Sequence, residues 1–143
     1  MIEGFTVSSE NDDMDLDAIH AFLSQSYWAK GIPKGAVEKA LRNSLCFGVF
    51  SREGAQIGFA RAVTDAATFA YLADVYILEK YRGLGLSKWL ISEVMSHQDL
   101  QGLRRITLAT RDAHGLYEQY GFKALAMPEI FMEAWNPNVY EDE

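Results

Sequence analysis

The segment from Tyr71 to Lys88 constrains the fold more than any other. Tyr71 to Leu78 is apolar throughout except for Asp74. A strand apolar on both faces is expected to be buried on both, which requires helices on both sides of a sheet. Glycines 83 and 85 then break the pattern, and Leu86, Leu90, Ile91, Val94 and Met95 follow at the spacing of an amphipathic helix. Such a strand–turn–helix join points a row of backbone N–H groups outward at the positive end of a helix dipole, a setting suited to phosphate or pyrophosphate. Arg82 and Lys88 are expected to add positive charge at its rim. The turn lacks the Gly-Lys-Ser/Thr ending of a triphosphate loop and the third glycine of a dinucleotide fingerprint. Taken alone, the two glycines could equally mark a plain structural turn.

The rest of the chain supplies the partners such a strand needs. Ile2 to Val7 suits a first strand. Asn11-Asp12-Asp13 can cap a helix over Met14 to Ser26, and Pro33 opens a second to about Asn43. Leu45 to Phe50 and Gln56 to Val63 flank Ser51-Arg52-Glu53-Gly54, a hairpin signature. Arg105 to Ala109 reads as a strand. Asp112 can cap a helix from Ala113 to Tyr120, and Gly121 stands where a left-handed helix end belongs. Phe122 to Ala126 and Ile130 to Trp135 read as two closing strands around Pro128. The expected order is β-α-α-β-β-β-α-β-α-β-β, a mixed α/β sheet with helices on both faces. No repeat or linker interrupts it, so residues 1–143 are expected to form a single domain.

Composition narrows function. One cysteine, Cys46, excludes an intrachain disulfide and a cysteine-rich metal site, and no metal is expected. A formal charge of -7 disfavours nonspecific nucleic-acid binding and suits a cationic partner, although solubility alone explains an acidic surface. No apolar run approaches the roughly 20 residues of a membrane span, and the N-terminus has no signal-peptide pattern. A cytoplasmic protein is the expectation.

Two motifs carry a resemblance. Lys80-Tyr81-Arg82-Gly83-Leu84-Gly85 resembles the Gln/Arg-x-x-Gly-x-Gly/Ala motif of the GNAT N-acetyltransferase family, with Lys at its first position. Downstream, Ala113-His114-Gly115-Leu116-Tyr117-Glu118-Gln119-Tyr120-Gly121-Phe122 is similar to the family's Ala-x-x-Leu-Tyr-x-x-x-Gly-Phe. Thr110 stands where many members have Asn. The resemblance spans the element order of the whole chain. It implies a mostly antiparallel sheet of six to seven strands with a splayed central parallel pair. It also implies acetyl transfer from acetyl-CoA to a primary amine by direct attack in a ternary complex.

By that resemblance, coenzyme A is expected along Val75, Tyr76, Ile77 and Leu78 and at Arg82, Gly83, Leu84, Gly85, Leu86, Ser87 and Lys88. A main-chain N–H near Val75 to Ile77 would meet the oxyanion. Tyr117 matches the family tyrosine that can protonate the coenzyme A sulfur; a phenol is protonated at neutral pH. The alternative for Tyr117 is a ring packed on a helix. Asp74, the lone ionisable group of its strand, is a candidate base, or else a carboxylate held for structural reasons. His20 and His114 are weaker candidates, and Cys46, set among Leu45 and Phe47, reads as buried rather than nucleophilic. Tyr27 and Trp28 lie between the first two helices, where the family builds its acceptor pocket, and are expected to bind substrate or form a lid. The acceptor, a small molecule or a peptide amine, is not named by these residues, and a homodimer stays open. The rival reading is a non-catalytic acyl-CoA sensor on the same fold. A plain interaction domain would require both motifs to be coincidental.

Overall fold

The chain builds its sheet in sequence order. Strand β1 (Phe5–Ser8) pairs antiparallel with β2 (Leu45–Ser51), which pairs antiparallel with β3 (Gln56–Thr64). The expected turn joins β2 to β3: Gly54 takes φ +88, and its amide donates to the Ser51 carbonyl at 2.9 Å. β4 (Phe69–Ile77) lies antiparallel to β3, and β5 (Arg105–Leu108) runs parallel to β4. The computed structural model describes residues 1–141, and its sheet has five strands in the order β1-β2-β3-β4-β5.

Two apolar layers sandwich this sheet. On one face, helix α3 (Leu86–Ser96) sets Leu86, Leu90, Ile91 and Val94 against Phe47, Ile57, Ala62 and Leu72. On the other, α1 (Leu16–Leu23) and α2 (Lys34–Arg42) bring Ile19, Leu23 and Val37 onto Cys46, Phe59 and Tyr76. Helix α1 is shorter than its periodicity predicts. Its N-cap is Asp15, whose carboxylate accepts from the Ala18 amide at 3.1 Å. Residues Asn11–Asp13 form a 3-10 turn instead, from which Asn11 Nδ2 donates to the Leu41 and Ser44 carbonyls. The Ser26 hydroxyl donates to the Leu23 carbonyl at 2.7 Å and accepts from the Ala29 amide, so the chain leaves the helix before Tyr27. No helix among the described residues is long and apolar enough to cross a membrane.

Two expectations need correction. The sheet has five strands rather than six to seven, because Phe122 to Ala126 and Ile130 to Trp135 join no ladder. Pro128 opens a 3-10 turn (Pro128–Ile130) between them; it removes an amide donor and restricts Met127 before it. Strand propensity is realised only when a run pairs in register with an edge, and neither apolar run does so here. The second correction concerns β4, which is not covered on both faces along its whole length. Phe69 and Tyr71 point away from α3 and stay exposed, because α1 and α2 reach only the other half of that face.

Candidate active site

The site begins where β4 and β5 part. Their parallel pairing covers Phe69–Leu72 against Arg105–Leu108 and stops there, while β4 runs on to Ile77. Beyond Leu72, the edge of β4 that β5 would occupy has no strand opposite among the described residues, so its outward main-chain groups are free for a ligand. A parallel pair is therefore present, but at the edge of the sheet rather than at its centre, because no described strand follows β5 in the ladder. A bulge sits at the parting point: Arg61 faces Ala73 and Phe59 faces Tyr76, so the β4 side has an extra residue. Asp74 carries it with φ 57, a left-handed conformation that Asp tolerates better than most residues.

The bulge aims Asp74 at the α1–α2 side. Its Oδ2 accepts from Arg61 Nε at 2.8 Å and its Oδ1 from Trp28 Nε1 at 2.8 Å, with only 11% of its side chain exposed. Arg61 Nη1 reaches on to the Ser44 hydroxyl. Trp28 thereby hangs over β4 from the α1–α2 loop. Phe22 stacks on Tyr76 with centroids 3.8 Å apart, Trp28 packs on Phe22, and Tyr27 meets Trp28 edge-on. The Arg111 guanidinium, just past β5, caps the Tyr27 ring at 3.9 Å. An aromatic wall thus bridges the two sides of the parting, with Tyr27 and Trp28 half exposed at its rim.

The glycine turn lies at the far end of the same strand. Gly83 and Gly85 both take φ +86, and Gly85 is the N-cap of α3 with no side chain bonding the first-turn amides. A Cβ at Gly83 would meet open space and one at Gly85 only Ile2 Cδ1 at 3.6 Å. The glycines are thus required by backbone conformation, and the space outside them is clear for an anion. Arg82 does not simply line the rim: its Nε donates to the Ile77 carbonyl at 2.8 Å and closes the end of β4. Lys88 and Leu84 are exposed, and Ser87 is half-buried. The side chains of Ile77 and Leu86 are in the core, so only their main chains can face a ligand; Tyr76 is also largely buried, and Val75 and Leu78 are half-buried.

Tyr117 comes from helix α4 (His114–Glu118) and packs edge-on to Phe122. Thr110 Oγ1 accepts from the Ala113 amide and holds the turn into this helix, whereas Asp112 does not cap it. The Tyr120 hydroxyl donates to the Lys88 carbonyl at 2.8 Å, tying α4 to α3. Burial, with a smaller contribution from the nearby Tyr27 phenol, pushes the Tyr117 hydroxyl up to about 12, so it holds its proton at neutral pH. Among the described residues, no buried side-chain polar atom lacks a partner, and no protein group bonds this hydroxyl. Its oxygen must then reach solvent while its ring is buried.

Other candidates are placed elsewhere. His20 Nε2 donates to the Ile32 carbonyl at 2.9 Å and secures the loop after α1, while His114 is exposed at the start of α4. Cys46 is buried, and burial pushes its thiol up to about 11, which leaves it protonated and unreactive at neutral pH. A cavity of about 470 Å³ opens between α1 and β4, lined by Ala21, Phe22, Gln25, Gln56, Tyr76 and Leu78. A larger hollow of about 620 Å³, at the β1–β2 edge, shares no residue with the site.

Arg61, Phe22 and Arg111 were not expected from sequence. Arg61 had a readable signal: it is the lone cation of an apolar strand, as Asp74 is the lone anion of the strand hairpinned to it. Phe22 and Arg111 had none, because they meet the site only through tertiary contacts.

Known proteins match this arrangement. The model of the acetyltransferase (GNAT) domain matches residues 42–124. A protein of Gibberella zeae named as an acetyltransferase by assignment is 35% identical over 135 aligned residues, covering 79% of this chain and 75% of its own. A GNAT-family crystal structure from Xanthomonas campestris pv. campestris superposes with a TM-score of 0.93 at 50% identity, over 98% of this chain and 99% of that one. An aminoglycoside N-acetyltransferase solved with CoA shares the fold, with a TM-score of 0.64 at 20% identity over 83% of this chain and 88% of its own. With the family model spanning more than half its length, and with these relatives, the chain belongs to the GNAT family of acetyltransferases.

Proposed function

We propose that this enzyme transfers an acetyl group from acetyl-CoA to a primary amine by direct attack in a ternary complex, as one domain spanning residues 1–143 in the cytoplasm. The observation that carries the reading is the run of open main chain from the β4–β5 parting to the Gly83–Gly85 turn. An aminoglycoside N-acetyltransferase of the same fold was solved with CoA, which supports the same ligand here. Bound acetyl-CoA would supply the activated acyl group. The amides at the start of α3 would hold its pyrophosphate, and the outward main chain from Val75 to Leu78 would bond its pantetheine arm. A main-chain N–H between Val75 and Ile77 would donate to the thioester carbonyl oxygen as charge grows there.

The amine, once deprotonated, forms the new N–C bond as the C–S bond breaks. The Tyr117 hydroxyl gives its proton to the departing sulfur and regains one from the amine through solvent. The half-exposed rim of Tyr27 and Trp28 would receive the acceptor. The net charge of -7 favours a cationic one. Incubation with acetyl-CoA and a panel of primary amines is expected to release free thiol above the no-amine control with at least one of them. Tight acetyl-CoA binding with no thiol released by any amine would support the sensor instead.

For Asp74, both carboxylate oxygens are already engaged, which supports a positioning role: it holds Trp28 and the α1–α2 loop over β4. Asp74→Asn is then expected to raise KM for the amine about tenfold while kcat changes little and the pH profile keeps its acidic limb. An acidic limb that vanishes with the substitution would make Asp74 the base.

A further inference from the structure

The charges at the aromatic rim do not follow the charge of the whole chain. Asp74, the one carboxylate of β4, has both oxygens engaged, by Arg61 Nε and by Trp28 Nε1, each at 2.8 Å. Arg61 is engaged with it, and its Nη1 reaches on to the Ser44 hydroxyl. Arg111 is different. It is exposed just past β5, and among the described residues its guanidinium makes no ion pair and no hydrogen bond. Its one recorded contact is the face of the Tyr27 ring, 3.9 Å from guanidinium carbon to centroid.

A guanidinium laid on a ring keeps its edge N–H groups available, in the planar fork that matches a carboxylate or a phosphate. The ring also removes freedom that a long side chain would otherwise lose on binding. Tyr27 is itself fixed, because Trp28 meets it edge-on and is tied to Asp74. Arg61, Asp74, Trp28, Tyr27 and Arg111 thus form one line of contacts from β3 across β4 to the segment after β5. Only its last member has unengaged donors. The line crosses at the parting, since Asp74 lies just past Leu72, where the pairing of β4 with β5 stops. The Tyr27 phenol also helps to disfavour ionisation of Tyr117, which sets this rim near the proposed proton donor.

We propose that Arg111 binds an anionic group on the acceptor, so that the substrate is an amine that also carries a carboxylate or a phosphate. The proposal rests on the acetyl-transfer reading for the fate of the amino group; the anion is held in place and does not react. The acidic chain as a whole still draws the ammonium end of such a molecule. At the rim the balance is reversed: the carboxylate is already paired, and the unmatched charge is positive. A guanidinium fork there bonds an oxyanion and repels a second ammonium, so the same residue attracts one class of amine and rejects another. A coenzyme A phosphate is the competing partner for such an arginine. The Gly83–Gly85 turn, however, stands at the other end of the open stretch of β4, away from the parting.

Matched pairs of amines read the charge directly. Amino acids and ω-amino acids are compared with their amides, and aminoalkyl phosphates with the corresponding amino alcohols. Each pair is measured by thiol release from acetyl-CoA and by calorimetric titration of the full chain saturated with CoA. The acid of at least one pair is expected to show KM and Kd at least about tenfold below its neutral partner, the lower end for a charge-assisted pair because the arginine is exposed. Carboxylate pairs and phosphate pairs tell the two oxyanions apart. Arg111→Gln should bring that ratio to about one, and Arg111→Lys, which keeps the charge without the fork, should restore part of it. Arg111→Glu should shift the preference to diamines. The exposed position predicts unchanged melting in all three. Equal losses for acid and neutral amines in the Gln variant would make Arg111 a brace for Tyr27, and a loss confined to acetyl-CoA affinity would assign it to the cofactor; either overturns the proposal. So does a wild type that prefers neutral amines or diamines, or that binds none of the acids. Arg111-dependent binding of an acid with no thiol released would keep this assignment and remove the acetyl-transfer reading instead.

Discussion

Tyr117→Phe is expected to lower kcat by about 10²-fold, with the affinity for acetyl-CoA nearly unchanged. The substitution deletes one oxygen from a ring that is otherwise buried against Phe122 and the α3 core, so packing is kept. What the proposed role would lose is the proton for the leaving sulfur. The hydroxyl stands at about 12 because burial disfavours its ionised form. Its protonated state therefore persists as pH rises, and ionisation of Tyr117 should impose no falling limb on kcat below about pH 11. The same shift works on stability. The group's folded value lies above its ordinary one, so its neutral form favours folding fully at neutral pH, and that contribution is lost as pH climbs through the alkaline range between the two values. Steady-state kinetics with the responsive amine decides the matter: a Phe variant with wild-type kcat would return Tyr117 to a packing role. Equal melting temperatures at neutral pH establish that the comparison is between folded proteins.

Gly85→Val is expected to weaken acetyl-CoA binding by about 2–3 kcal/mol, roughly 100-fold, through lost charge-assisted hydrogen bonds. Gly85 holds φ +86 as the N-cap of α3. An L-residue pays about 1–2 kcal/mol there, and a β-branched one is a severe outlier. The turn can relieve this only by moving toward negative φ, which rotates the amides of Leu86, Ser87 and Lys88 away from the anion. The core below is insulated, because Leu86 is already buried and the added Cβ meets only Ile2 at 3.6 Å. Calorimetric titration reads the loss, and melting checks the fold. Unchanged affinity in a folded variant would remove the phosphate assignment. Because Tyr117→Phe acts on turnover and Gly85→Val on affinity, the pair separates chemistry from binding.

Much of the fold was legible because the signals were local. The Ser51–Gly54 turn, the period of α3 and the glycines before it are set by conformational preferences within a few residues, and each appears where expected. The segments that departed from expectation were those whose fate depends on distant partners. Ile130 to Trp135 has strand composition, but a ladder needs an edge in register, and composition cannot say whether one is offered by the same chain. Phe69 and Tyr71 look like core residues, but whether a helix reaches them depends on where α1 and α2 stop.

The site divides along the same line. The sequence by itself determined the Gly83–Gly85 turn and the place of Tyr117 on its helix, because both lie within one strand–helix or helix–turn unit whose backbone demands are local. Only the tertiary structure decided what surrounds Asp74. Its left-handed bulge, the Arg61 ion pair and the Trp28 indole come from β4, β3 and the α1–α2 loop, which meet only when the sheet has closed and the helices have packed. A sequence records which groups are available for hydrogen bonding; which of them share one small volume is fixed by packing across the sheet, and there the two oxygens of Asp74 found their partners.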